Sequence, residues 1–321
     1  VDAKKLCVAA VQMVSENGAV ESNLNRATRL VERTAEAGAE LVLLPELFSC
    51  GYWVCEKMWD TAEPQGGRTE AWLCETAARL GLYLGGSYLM AREEDFYNVF
   101  ALATPAGEIA GRVPKQKPGS IEAYLFRGQE STHIIETDLG RVGVGICYDN
   151  LFRFLAEAVL AGDADILLMP FSAPTPEQAW YYPEKRVRAY LDAYRHGASN
   201  YARMLGIPAV QVNKSGPWKS ESPAFFPAQE STFGGQSEIA DSNGEILAEL
   251  GDEEDVIAAD VVMDPARKHR QLPAEATRWG RWISPAPWEF RIFWIIEALG
   301  RRSYARNERR REKARAVSGG E

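Results

Sequence analysis

Leu41-Val42-Leu43-Leu44-Pro45-Glu46 decides the architecture of this chain. Four consecutive aliphatic residues with no polar alternation describe a strand covered on at least one face, as in parallel sheets flanked by helices. Upstream, residues 6–13 read as a second buried strand. Ser22 is the expected N-cap of a helix with Leu24, Ala27, Leu30, Val31 and Ala35 on one face. The chain therefore opens as a βαβ unit. Pro45-Glu46 falls just past its second strand, on the edge where open α/β sheets hold ligands.

The pattern recurs with variations. A helix over residues 70–80 leads to a strand over 82–89, and strands 98–103 and 108–113 form a hairpin across Thr104-Pro105-Ala106-Gly107. Strands 134–137 and 141–147 pair across Asp138-Leu139-Gly140. A helix over 151–160 precedes a strand over 166–169, and one long helix over 184–205 precedes a strand over 208–212. A hairpin, 237–240 with 245–250, turns over Asp241-Ser242-Asn243-Gly244, and a strand over 256–262 closes the series. These are more strands than one doubly wound sheet usually holds, and hairpins alternate with βα units. The expectation is a mixed α/β fold of two stacked sheets with helices outside, a four-layer αββα sandwich.

No compositional break divides the chain before about residue 283, which gives one domain over residues 1–282 and a C-terminal extension over 283–321. In the extension Trp288, Phe290, Ile292, Phe293, Trp294, Ile295, Ile296 and Leu299 are too apolar to be left in water. The expectation is an arm that contacts a neighbouring subunit of a homo-oligomer, dimer or larger. Arg301-Arg302 and residues 308–315 read as a basic, solvated helix end.

With 321 residues, 46% hydrophobic and 25% charged, the chain buries a sizeable core. A net charge of −9 argues against nucleic acid as the main ligand, because phosphate binding needs clustered Lys and Arg. The five cysteines, Cys7, Cys50, Cys55, Cys74 and Cys147, have no repeated spacing, so neither a disulfide framework nor a zinc site is expected. No apolar run approaches the length that spans a bilayer, and the first residues lack the apolar stretch of a signal peptide. The expectation is a cytoplasmic protein with small-molecule substrates and neither a membrane nor a nucleic-acid partner.

Three strands share one geometry, in which the last residue or the turn after it carries a useful group: Glu46 after 41–44, Lys115 after Gly111-Arg112-Val113-Pro114, and Cys147 after Val142-Gly143-Val144-Gly145-Ile146. If parallel neighbours bring these edges together, a carboxylate, an ammonium and a thiol converge. A helix starting near residue 150 or 151 would aim free N–H groups at Cys147 and favour its thiolate. A lone cysteine after an apolar strand is more often an inert core residue, and this segment alone does not overturn that reading.

Leu44-Pro45-Glu46-Leu47-Phe48, Gly111-Arg112-Val113-Pro114-Lys115 and Gly145-Ile146-Cys147-Tyr148-Asp149, in that order, resemble the motifs of the nitrilase superfamily of carbon–nitrogen hydrolases. Ala164-Asp165-Ile166-Leu167-Leu168-Met169-Pro170 and Phe233-Gly234-Gly235-Gln236-Ser237-Glu238-Ile239 extend the likeness over roughly residues 5–263. The chain departs from the family at Val113-Pro114-Lys115-Gln116-Lys117, where Lys117 competes with Lys115, and at Asn150-Leu151-Phe152-Arg153.

The resemblance implies Glu46 as base, Lys115 and the Tyr148 N–H as holders of the oxyanion, Cys147 as nucleophile and Glu122 as a second glutamate. It also implies Tyr52, Trp53 and Phe171 as pocket wall and no cofactor or metal. The implied reaction is thioester-mediated hydrolysis of a small amide or N-carbamoyl compound with release of ammonia. A nitrile substrate, or a scaffold that has lost the reaction, are the alternatives. Specificity is expected to lie in loops around residues 50–60, 116–130 and 172–182.

Overall fold

The computed structural model describes residues 3–319 apart from 179, 181, 182 and 225, so part of the 172–182 loop lies outside the described residues, as does the side chain of Trp288. In chain order the elements are β1 (Lys4–Gln12), α1 (Val20–Glu36), β2 (Leu41–Leu43), α2 (Arg68–Leu80), β3 (Tyr83–Arg92), β4 (Asp95–Ala103) and β5 (Ile109–Pro114). They continue with β6 (Ile134–Thr137), β7 (Gly140–Val144), α3 (Arg153–Ala161), β8 (Ile166–Pro170), β9 (Pro174–Thr175), α4 (Glu184–Tyr194), α5 (Gly197–Leu205) and β10 (Ala209–Val212). The rest are β11 (Ser215–Ser220), β12 (Gln229–Gly234), β13 (Glu238–Ala240), β14 (Ile246–Glu249), β15 (Asp255–Met263), α6 (Ala274–Thr277), α7 (Trp288–Arg306) and α8 (Glu308–Ser318).

Two six-stranded sheets, in orders β15-β1-β2-β3-β4-β5 and β14-β13-β10-β8-β7-β6, stack face to face. Strand alternation shows why. Val8, Ala10, Leu41 and Leu43 point to a core shared with Val142, Val144, Ile166 and Leu168 of the other sheet. Their neighbours Ala9, Val11 and Val42 point the other way, onto Leu24, Ala27 and Val31 of α1 and Leu73 and Ala77 of α2. α5 packs on β8, β10 and β13 of the second sheet, and the αββα sandwich stands as expected.

Several local expectations are corrected. α1 begins at Val20, so Ser22 lies inside its first turn instead of capping it. The entry is held by Asn23, whose amide donates to the carbonyls of Glu16 and Ser49 and accepts from the Glu16 N–H, each at 2.8 Å. The helix expected over 184–205 is two helices, broken at His196 (φ 57°). Buried Glu238 takes the free N–H of Ser199 at 2.9 Å and so caps α5, a long-range contact that local periodicity does not carry. A third sheet, β11-β12-β9, was not anticipated.

The extension is laid along its own chain. α7 packs on a 3₁₀ turn at Ser120–Tyr124, and α8 packs on β3 and β4. Arg310, 3% exposed, pairs with Asp95 at 2.6 Å, and Phe96 donates its N–H to the Tyr304 hydroxyl at 2.8 Å. The expected arm is therefore a wall of its own body on this inner side. Ile292, Trp294, Ile295 and Leu299 remain on the outer side, 41–54% exposed. Among the described residues no helix is long and apolar enough to cross a membrane.

Candidate active site

β2, β5, β7 and β8 end on one rim. Glu46 lies just past β2, its N–H donating to the carbonyl of Phe171 at 3.2 Å and its carbonyl accepting from the Ser172 hydroxyl at 2.7 Å, both residues just past β8. Lys115 follows β5 and is fixed by its N–H to the carbonyl of Asn98 at 2.8 Å. Glu122 sits on the Ser120–Tyr124 turn, which its own Oε2 closes by accepting the Gly119 N–H at 2.6 Å.

The lysine joins them. Lys115 Nζ donates to Glu46 Oε1 at 2.7 Å and lies 2.7 Å from Glu122 Oε2 and 2.9 Å from Oε1. All three side chains are at most 2% exposed. Asn98 Nδ2 also donates to Glu46 Oε1, at 2.8 Å, and the Tyr52 hydroxyl donates to Glu122 Oε1 at 2.9 Å. Glu46 Oε2 is buried with no hydrogen-bond partner among the described residues. Lys117, the competitor for Lys115, is exposed and rests over the Phe154 ring.

Cys147 stands on a sharp turn. β7 stops at Val144, and Cys147 adopts φ 47° at the start of a 3₁₀ turn, Cys147–Leu151. Gly145 makes room for this, since a Cβ there would lie 2.3 Å from Asn150 Oδ1. Asn150 in turn donates to the carbonyls of Gly145 and Cys147, at 2.7 and 3.0 Å. The α-helix begins only at Arg153, so the helix N-terminus expected to favour a thiolate is not at the sulfur. Burial, then the Glu46 charge, push the thiol well above its usual range, against a smaller opposing pull from Lys115.

The other groups follow the same physics. Burial pulls the Lys115 ammonium down, but Glu122 and Glu46 outweigh it and hold it well above the usual lysine range. Burial raises the Glu122 carboxyl, Lys115 draws it back, and Glu46 adds to the rise, leaving it above an ordinary glutamate. Asp149, next along the turn, accepts the N–H groups of Gln116 at 2.9 Å and Lys117 at 2.7 Å, tying the lysine loop to the cysteine turn. Its burial pushes the carboxyl up to about 7 against those two bonds.

A cavity of about 170 Å³ opens over Lys115, Glu122 and Cys147, walled by Tyr52, Tyr148, Tyr190, Tyr194, Trp218 and Phe293. Tyr52 is part of this wall, and its hydroxyl reaches Glu122. Trp53 and Phe171 are corrections. Trp53 packs over Gly18 and donates to Glu221, outside the cavity. Phe171 lies behind the wall, edge-on to Tyr194, and its contribution near the site is the carbonyl that fixes Glu46.

Some residues of the site escaped the sequence reading. Asn98 is a lone polar residue in the buried strand Phe96-Tyr97-Asn98-Val99-Phe100, which was the available signal. Lys214, fully buried, donates to the carbonyl of Leu47 at 3.0 Å, and burial brings it down to about 8. Phe293 lies about 146 positions beyond Cys147 along the chain, and only its apolar surroundings hinted at burial. Among the described residues no cluster of His, Cys, Asp and Glu could hold a metal.

The carbon–nitrogen hydrolase family profile matches residues 7–271. The chain belongs to this family. As a member of the nitrilase superfamily of carbon–nitrogen hydrolases, it is 30% identical over 269 residues to the omega-amidase NIT2 of Xenopus tropicalis, covering 80% of this chain and 89% of the relative. It is 28% identical over 274 residues to the N-carbamoylputrescine amidase of Solanum lycopersicum, covering 82% and 88%. Among solved structures, the carbon–nitrogen hydrolase of Helicobacter pylori G27 superposes with a TM-score of 0.70 at 21% identity, over 82% of this chain and 91% of the other. An amidase from Nesterenkonia sp. gives 0.63 at 23%, over 83% and 93%. These last two speak for the shared family fold.

Proposed function

We propose that this carbon–nitrogen hydrolase cleaves a small amide or N-carbamoyl compound that carries no carboxylate, through a thioester on Cys147, releasing ammonia. The observation that carries the reading is the Lys115 ammonium bound between Glu46 and Glu122 in a shielded cavity that also holds Cys147. The names of the relatives, an omega-amidase and an N-carbamoylputrescine amidase, support the choice of bond.

The resting thiol is protonated, so attack requires a base. Glu46 is electrostatically coupled to the sulfur and keeps one oxygen unpartnered, which suits it to accept the proton as sulfur bonds to the carbonyl carbon. The carbonyl electrons move to oxygen, which the Lys115 charge and the Tyr148 N–H stabilise, each such interaction worth about 2.7–4 kcal/mol in comparable sites. Collapse breaks the C–N bond, and the proton on Glu46 passes to the nitrogen, so that ammonia leaves and a thioester remains. Water then gives a proton to Glu46 and its oxygen to the acyl carbon, and sulfur departs with that proton. Glu122, bound by the Gly119 N–H, the Tyr52 hydroxyl and Lys115, holds the ammonium in place throughout.

Charge restricts the substrate. Lys115 is the one basic residue among the described residues of the wall, and two carboxylates already oppose it. A carboxylate on the substrate would be buried without a counter-ion. Aromatic walls accept an uncharged or cationic group instead. The outer stripe of Ile292, Trp294, Ile295 and Leu299 supports self-association of the chain as a homo-oligomer.

Ammonia release from parallel panels of simple amides, N-carbamoyl amines, dicarboxylic acid monoamides and nitriles tests the reading. Turnover of the first two classes is expected. Turnover of nitriles alone, a preference for the monoamides, or no turnover with intact folding would overturn it.

A further inference from the structure

The family match ends at residue 271, yet the cavity has a wall from beyond it. We propose that α7 is a working part of the active site: Phe293 sets the size of acyl group that reaches Cys147, and Glu297 is a positioning residue that ties the nucleophile turn to the turn carrying Glu122. The proposal rests on the cavity beside Cys147 being the substrate site.

Phe293, Glu297 and Gly300 are spaced i, i+4, i+7 and so share one face of α7. Phe293 lines the cavity with Cys147 and Glu122, its ring centroid 6.2 Å from that of Tyr148 and 5.1 Å from that of Phe290. Phe290, 1% exposed, meets Tyr148 at 5.8 Å from behind, so the Phe293 ring has a rigid backing. One helical turn on, Glu297 lines one cleft with Tyr148, whose hydroxyl is pushed up by burial and then by the Glu297 charge, while its own carboxyl, raised by burial, is drawn back by the Ser120 backbone and by Arg301, 3.8 Å away. Its Oε1 is buried and finds no hydrogen-bond partner among the described residues. At Gly300 the helix backbone sits directly on the glutamate turn, for a Cβ there would come within 2.8 Å of the Tyr124 ring and 2.9 Å of Ala123.

The consequence follows from chain order. Tyr148 is the residue after Cys147, and Ser120 opens the turn that presents Glu122. One carboxylate that addresses both couples the nucleophile to the lysine clamp. The ring one turn earlier fills space that a longer acyl group would need.

The test uses the full-length protein with straight-chain amides from acetamide to hexanamide. Phe293→Ala is expected to raise the hexanamide-to-acetamide ratio of kcat/KM by about tenfold or more, the scale on which apolar pockets discriminate chain length. Glu297→Ala should lower kcat on the shortest amide about tenfold with little change in KM, and Glu297→Gln, which keeps an acceptor, should recover most of it. Should Phe293→Ala fail to fold, Phe293→Leu is read by the same ratio. Relative rates of Cys147 alkylation by iodoacetamide and the bulkier iodoacetanilide, followed by mass spectrometry, need no turnover. A wild-type protein that hydrolyses no amide would defeat the amidase reading alone, because Phe293→Ala would still favour the bulkier reagent. An unchanged labelling ratio, or wild-type kcat in Glu297→Ala, would overturn the proposal.

Discussion

Lys115 Nζ and Glu46 Oε1 stand 2.7 Å apart with neither side chain in contact with solvent, and the same ammonium reaches Glu122 at 2.7 Å. One buried cation faces two carboxylates, so the cluster carries excess negative charge beside the sulfur. Burial, and then this excess, keep the thiol protonated and make a proton acceptor necessary.

Removing the cation therefore harms the fold as well as the reaction. Lys115→Met leaves Glu46 and Glu122 facing each other out of water, and breaking a buried pair in this way costs about 3–5 kcal/mol. Urea denaturation should show that loss, with ammonia release falling by a factor of about 10²–10³. A variant of wild-type stability would contradict the ion-pair account.

Tyr52 and Trp53 are adjacent in sequence and opposite in prediction. Tyr52→Phe removes the 2.9 Å hydrogen bond to Glu122 and should cost about 1 kcal/mol of stability. Its kcat should fall about tenfold, the kinetic equivalent of a similar energy. Trp53→Phe lies outside the cavity and should leave KM unchanged. Equal kinetic effects of the two substitutions would refute this division of the loop.

Asp149 gives the fold a pH dependence with a definite sign. Its carboxyl titrates near 7 in the fold against an ordinary value of 3.8, because burial outweighs the two N–H bonds it accepts. Between those values the folded chain keeps a proton that the unfolded chain has lost. Stability from this group is full below 3.8 and declines as pH rises through about 7. The Tm of the wild type should fall across this window by several degrees more than that of Asp149→Asn, measured by calorimetry. Parallel Tm profiles for the two proteins would show that Asp149 does not titrate there.

The exposed face of α7 predicts association. Leu299→Asp and Trp294→Asp, at positions 50% and 54% exposed, should shift sedimentation toward a single chain while leaving its melting unaltered. A wild-type chain that sediments as a monomer would dispose of the oligomer reading.

The sandwich was legible because unbroken aliphatic runs mark buried strands; the convergence of Glu46, Lys115 and Cys147 was only conditional from their strand-end positions, and the family resemblance implied it. Glu122 was reachable by its motif neighbourhood. Trp53 and Phe171 were misplaced because motif position does not tell which side of a turn faces a cavity. The break at His196 depends on Glu238, 42 residues away, and the third sheet on pairing between Gly234 and Ser215. The thiolate expectation failed on a distance along the chain, since α3 starts six residues after Cys147. Phe293 and Glu297 belong to the site through a chain reversal that no short window of sequence contains.

The central claim is that the acyl group passes through Cys147. Rapid quenching of the enzyme with a turned-over amide, followed by peptide mass spectrometry, tests it most directly. The account predicts a transient mass increase equal to the acyl group on the peptide bearing Cys147, and no hydrolysis by Cys147→Ala. Undiminished hydrolysis by Cys147→Ala, or an acyl group carried by another residue, would contradict it.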